Sequence, residues 1–83
     1  MAYRIEYKES VYHDLKRIDR PIAKRILDKL EAILSVDRDK GIPLTGEYKG
    51  LFKFRVGNYR VLYAKTSEGV LVVRVRHRGT AYR

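Results

Sequence analysis

From Leu51 onward apolar and basic side chains alternate with a period of two, and this pattern constrains the fold more than any other feature of the chain. Over 51–56, Phe52, Phe54 and Val56 fall on one side, and Lys53 and Arg55 on the other. Over 70–76, Leu71, Val73 and Val75 share a side while Arg74 and Arg76 point opposite, with Arg78 continuing their parity. Successive side chains of a strand project to opposite faces, so each stretch predicts a strand with one oily and one cationic face. Gly57-Asn58 predicts a tight turn into a middle strand over 59–64, and Thr66–Gly69 a second turn. Arg60 on the middle strand can join the cationic face.

The first half of the chain reads differently. Residues 2–7 alternate, with Tyr3, Ile5 and Tyr7 on one side and Arg4 and Glu6 on the other, which predicts a strand. Ser10 is suited to cap a short helix carrying Val11, Leu15 and Ile18. Pro21 suits the first turn of a second helix, in which Ile22, Ile26, Leu30, Ile33 and Leu34 follow at helical spacing and which ends before Asp37 or Arg38. Residues 38–49 read as a polar connection with Gly41, Pro43 and Gly46 as turn formers. No repeat, low-complexity run or linker divides residues 1–83, so a single domain is expected. The expected fold is α+β, in the order β-α-α-β-β-β: two helices from the N-terminal half packed on one face of a mainly antiparallel four-stranded sheet.

Composition narrows the function. At 83 residues and 45% hydrophobic, the chain is sized for one small domain and too apolar for a disordered basic tail. It has no cysteine, so disulfides, thiolate metal sites and cysteine nucleophiles are excluded. No apolar run approaches the roughly 18 residues that a spanning helix needs, and charges interrupt the N-terminus where a signal peptide is apolar, so no membrane association and a cytoplasmic location are expected. The formal net charge is +9, and it is unevenly placed. Residues 1–46 carry 10 basic and 8 acidic side chains, whereas 47–83 carry 9 basic and 2 acidic ones. A polyanionic partner would meet the second half.

The residue inventory excludes several chemistries. His13 and His77 are the only histidines and lie far apart in sequence, so no metal site is expected. No Gly-rich phosphate loop, Ser-His-Asp set or paired carboxylate has suitable spacing, and no cofactor is expected. RNA cleavage needs neither metal nor carboxylate. The 2′-hydroxyl can attack its own adjacent phosphate if a base takes its proton, cations stabilise the phosphorane and an acid protonates the leaving 5′-oxygen. The closing segment places His77, Arg78 and Tyr82 at the end of the basic strand, where such groups are needed.

The strand–helix–helix order is followed by Pro43-Leu44…Gly46…Lys49-Gly50-Leu51-Phe52-Lys53-Phe54-Arg55-Val56-Gly57-Asn58-Tyr59-Arg60-Val61-Leu62-Tyr63 and by Val75-Arg76-His77-Arg78…Tyr82-Arg83. Together these segments resemble the RelE/ParE superfamily of toxin–antitoxin toxins, over nearly the whole chain. The resemblance to RelE implies a metal-independent endoribonuclease that enters the ribosomal A site, beside 16S rRNA, and cuts mRNA there. It also implies a small RelB-like antitoxin, and a toxin–antitoxin heterotetramer or higher complex. On the matching positions it implies phosphate-stabilising roles for Lys53 and Arg55, contact with the scissile phosphate by Arg60, an acid or clamp role for Arg78, and stacking or proton transfer by Tyr82. Arginine does not release a proton at neutral pH, so the base role falls to Tyr82 or His77. Lys49, Arg74, Arg76 and Arg83 are candidates for RNA binding. Two other readings stand beside this one: a ParE-like toxin acting on DNA gyrase, and a non-catalytic module binding RNA or an acidic protein.

Overall fold

The computed structural model describes residues 2–79. Strand β1 (Arg4–Tyr7) leads through one residue into helix α1 (Glu9–Lys16), and helix α2 (Arg20–Leu34) follows with Pro21 in its first turn. The proline's missing N–H costs nothing there, because the first-turn donors have no partner within the helix. Ile26, Leu30 and Leu34 recur every four residues along α2 and are buried. A short strand β2 (Ile42–Pro43) and a single 3₁₀ turn at Gly46–Tyr48 precede the main ladder. That ladder consists of β3 (Leu51–Val56), β4 (Tyr59–Lys65) and β5 (Gly69–His77).

The strands form one sheet in the order β1-β5-β4-β3-β2. Only the β1–β5 pair is parallel. Both helices cover the same face, with Val11, Ile26, Leu30 and Leu34 packed against Phe54, Val56, Val61, Tyr63, Val70, Val72 and Val75. The expected element order is present, but the sheet has five strands rather than four. The extra strand, β2, comes from the connection at 38–49. Two residues carry no readable alternation, and one of them is a proline, tolerated because β2 is the edge of the sheet. Ser10 is not the cap either: Lys8 occupies that position, and Ser10 lies inside α1.

One irregularity governs β5. Leu62 pairs with Arg74 and Tyr63 with Val72, which leaves Val73 as an inserted residue without a cross-strand partner. Before this bulge Val70 and Val72 face the helices, and after it Val75 does. The predicted grouping of Leu71, Val73 and Val75 on one face is therefore corrected. The continuous run Val70–Val73 has no polar residue to show where the phase changes.

Helix α1 lies along the open edge of β5. β1 pairs with β5 only as far as Val72, and the Lys8 N–H donates to the Val72 carbonyl at 2.9 Å. Beyond that point side chains of α1 replace the missing strand. The Ser10 hydroxyl donates to the Val73 carbonyl at 2.6 Å, and Asp14 Oδ2 accepts the Val75 N–H at 2.9 Å. Arg74 also grips Asp14, donating from Nε to Oδ2 at 3.0 Å and from Nη2 to Oδ1 at 2.9 Å. Burial by itself would raise the Asp14 carboxyl, but the Arg74 and Val75 hydrogen bonds outweigh it and hold the group below the ordinary aspartate range.

The connection to β2 is tied down at Tyr63. Its buried hydroxyl donates to the Arg38 carbonyl at 2.7 Å and accepts the Gly41 N–H at 2.9 Å. A Cβ at Gly41 would stand 2.6 Å from that hydroxyl, so only glycine lets the chain pass. In the β3–β4 turn Gly57 takes the positive φ (57°) while Asn58 does not, as in a type II′ hairpin.

Two outcomes follow for stability. Asp14→Ala is expected to lower the unfolding free energy in urea by about 2–4 kcal/mol, since it strands the Val75 N–H and leaves Arg74 uncompensated. The folded carboxyl titrates below its unfolded value of about 3.9, so this stabilisation is present above that value and is lost as pH falls through the folded one. Asp14→Asn should accordingly flatten the acid limb of stability measured against pH. Gly41→Ala should cost about 1–3 kcal/mol by thermal or urea unfolding, through its clash with the buried Tyr63 ring.

Candidate nucleic-acid interface

Strand register collects the cations into two rows on the sheet face turned away from the helices. Arg55 on β3 pairs with Arg60 on β4, which pairs with Arg76 on β5. In the next row Lys53 pairs with Leu62, and Leu62 with Arg74. At the sheet edge Ile42 of β2 stands opposite Lys53. Among the described residues, Ile42, Lys53, Arg55 and Arg60 line a cavity of about 380 Å³, and none of them is a carboxylate. Among the described residues, no ion pair engages Lys53 or Arg55. Directly opposed like charges such as Arg55 and Arg60 destabilise a ladder by about 0.2–1 kcal/mol per pair. Such a wall attracts anions and can stabilise charge that develops on one.

The remaining predicted residues are placed differently. Arg74 starts from the same face, but its guanidinium turns around the open edge of β5 into the Asp14 carboxylate. Arg76 bends the same way, with Nε 3.9 Å from Asp14 Oδ1. His77 lies on the helix side of the sheet, edge-on to Tyr59 with ring centroids 5.3 Å apart, so it does not share the Lys53–Arg55–Arg60 cavity. Its Nδ1 accepts the Gly79 N–H at 3.3 Å. Arg78 is exposed just beyond β5, and its N–H donates to the Asn58 carbonyl at 2.8 Å, which ties the chain to the β3–β4 turn. Lys49 is exposed and follows the 3₁₀ turn that precedes β3, its N–H donating to the Gly46 carbonyl at 3.1 Å. Tyr82 and Arg83 lie outside the described residues.

Two contributors escaped the sequence reading. Asp14 was one acid among several on the helices, yet it captures two of the predicted cations. Its spacing of four from Ser10 puts both on one stripe of α1, and that polar stripe beside Val11 and Leu15 is the available signal. Ile42, 61% exposed, brings apolar surface to the rim of the cationic cavity from a strand that has no sequence signature.

Comparison with known proteins agrees with this architecture. The model of the family described as the ParE toxin of the type II toxin–antitoxin system parDE matches residues 5–82. A chain of the RelBE2 toxin–antitoxin complex from Mycobacterium tuberculosis superposes with a TM-score of 0.86 at 30% identity, covering 94% of this chain and 93% of that one. A chain of the archaeal RelE–RelB complex from Pyrococcus horikoshii gives a TM-score of 0.66 at 28% identity, covering 98% and 100%. A chain of the RelB–RelE complex from Methanococcus jannaschii gives 0.67 at 25% identity, covering 93% and 94%. No curated protein sequence matches the chain. With nearly its full length matched, the chain belongs to the ParE-toxin family of type II toxin–antitoxin systems and is a toxin of the RelE/ParE superfamily.

Proposed function

We propose that this toxin is a metal-independent endoribonuclease that cuts mRNA in the ribosomal A site and so arrests translation. The observation that carries this reading is the cavity in which Lys53, Arg55 and Arg60 converge with no carboxylate in its wall among the described residues. Cations so placed suit a phosphate that gains charge during reaction. The RNA 2′-hydroxyl loses its proton to a base and bonds to phosphorus, and the P–O5′ bond breaks as an acid protonates the departing oxygen. The products are a 2′,3′-cyclic phosphate and a 5′-hydroxyl. Arg60 and Arg55 would balance the phosphorane oxygens, with Lys53 beside them and Arg78 as a clamp at the strand end. Because His77 stands on the opposite side of the sheet, Tyr82 is the better candidate for the proton transfer.

Point cations select sequence weakly, so the ribosome would supply the codon and its in-line geometry. Lys49 and Arg83 would add contacts to mRNA or 16S rRNA. The complexes that this chain resembles pair RelE with RelB, which supports a RelB-like antitoxin as its own inhibitor, in a heterotetramer or larger assembly. A second reading is favoured by the family description, which names parDE: a toxin acting on DNA gyrase.

Primer extension on a defined mRNA in a translating extract tests the choice. New 3′ ends at A-site codons are expected, with Arg60→Ala and Arg55→Ala each slowing cleavage by about 10²–10³-fold. Cleavage at the wild-type rate in both variants would remove these residues from the mechanism. Intact mRNA together with inhibited supercoiling by gyrase would move the assignment to the second reading.

A further inference from the structure

A second cavity, of about 330 Å³, lies around the open edge of β5, and the sequence reading did not anticipate it. Its wall includes Arg17 at the end of α1, Arg76 on β5, and Ile18 and Tyr59 as apolar surface. Arg76 links it to the first cavity, because Arg55, Arg60 and Arg76 stand in one cross-strand row. At about 4.8 Å per strand, that row spans roughly 10 Å before the chain of cations turns the sheet edge to Arg17.

Three features mark the second cavity as an anion site. The Arg76 Nε is buried and makes no hydrogen bond among the described residues, standing 3.9 Å from Asp14 Oδ1. A buried donor of this kind is stabilised by an acceptor brought from outside. Arg17 is exposed, and among the described residues no hydrogen bond or ion pair engages its guanidinium, while its backbone N–H closes the last turn of α1 on the Asp14 carbonyl. Finally, the one carboxylate in the wall, Asp14, is already matched by the forked grip of Arg74, so Arg17 and Arg76 leave the cavity net positive.

Resting on the RNA-binding reading above, the geometry points to a second phosphate subsite at Arg17 and Arg76. A single RNA strand would cross the cationic row, pass over the edge of β5 beyond Asp14 and seat a flanking phosphate between these two guanidiniums. Ile18 and the Tyr59 ring would then support the adjoining sugar or base. Arg17 becomes a binding residue on a helix whose other polar contacts are structural.

The test is equilibrium binding of 2′-O-methylated oligonucleotides, which lack the attacking hydroxyl and stay intact, across a salt series. Wild type is compared with Arg17→Gln, Arg60→Gln and, as an exposed cation elsewhere on the surface, Lys29→Gln. With a hexanucleotide, Arg17→Gln and Arg60→Gln should each lower the salt slope by about 0.7, the value for one lost phosphate contact on a single strand, and Lys29→Gln should leave it unchanged. With a dinucleotide only Arg60→Gln should matter. A slope lowered by Arg60→Gln but not by Arg17→Gln would overturn the second subsite and leave the first standing. Slopes unchanged in both would overturn both. An Arg17→Gln effect matched by Lys29→Gln would reduce it to general charge. Weakened binding of a glutamate-rich peptide, with RNA binding intact, would assign the cavity to an acidic protein segment instead.

Discussion

The Asp14 carboxylate joins the helical layer to the sheet at the point where the sheet would otherwise end unsatisfied. β1 covers only the first part of β5, and the chain then turns at once into α1, leaving the N–H of Val75 and the carbonyl of Val73 without strand partners. Backbone groups in that position must be paired or hydrated, and an open edge also invites pairing with other chains. Asp14 and Ser10 close the edge from the side, so a helix does the work of a strand. The same carboxylate holds the guanidinium of Arg74, and burial of the group is offset by those bonds. Secondary structure, edge protection and local charge balance all converge on one side chain.

That convergence also explains how a sheet with so many cations is stable. Cations opposed on adjacent strands work against the ladder, as Arg55 and Arg60 do. On β5 the strain is relieved, because Arg74 and Arg76 turn over the edge toward Asp14. On β3 it is retained, and Lys53 and Arg55 have no ion-pair partner among the described residues. Stability is drawn instead from the opposite face, where α2 packs Ile26, Leu30 and Leu34 on the aliphatic side of the ladder. Lys53 and Arg55 thus remain the cations of this face without an ion pair among the described residues.

The main strands and α2 were legible because each expresses its period through chemically contrasting residues. Phe52-Lys53-Phe54-Arg55 can be read in only one phase, and Pro21 marks a helix start by what it lacks. The placement of Lys53, Arg55 and Arg60 on one face followed from that period. Three features were not legible. β2 is two residues long, so its pairing with β3 is a tertiary fact. The bulge at Val73 sits within an aliphatic run whose every residue suits either face. The capture of Arg74 and Arg76 by Asp14 joins positions some 60 residues apart, and local spacing contains nothing of it.

The inserted residue at Val73 acts as a phase shifter for everything downstream of it. Were β5 to pair continuously with β4, Val75 and His77 would emerge beside Lys53 and Arg55, while Arg74 and Arg76 would be driven against the helices. One extra amino acid thus decides which side of the sheet receives the guanidiniums and which the imidazole. Loss of Val73 itself would leave Arg74 opposite Leu62 and Val75 opposite Val61, so the exchange belongs to the full-length strand paired without its bulge. The charge pattern of this surface therefore depends on the pairing register of β5 as much as on the identity of its residues.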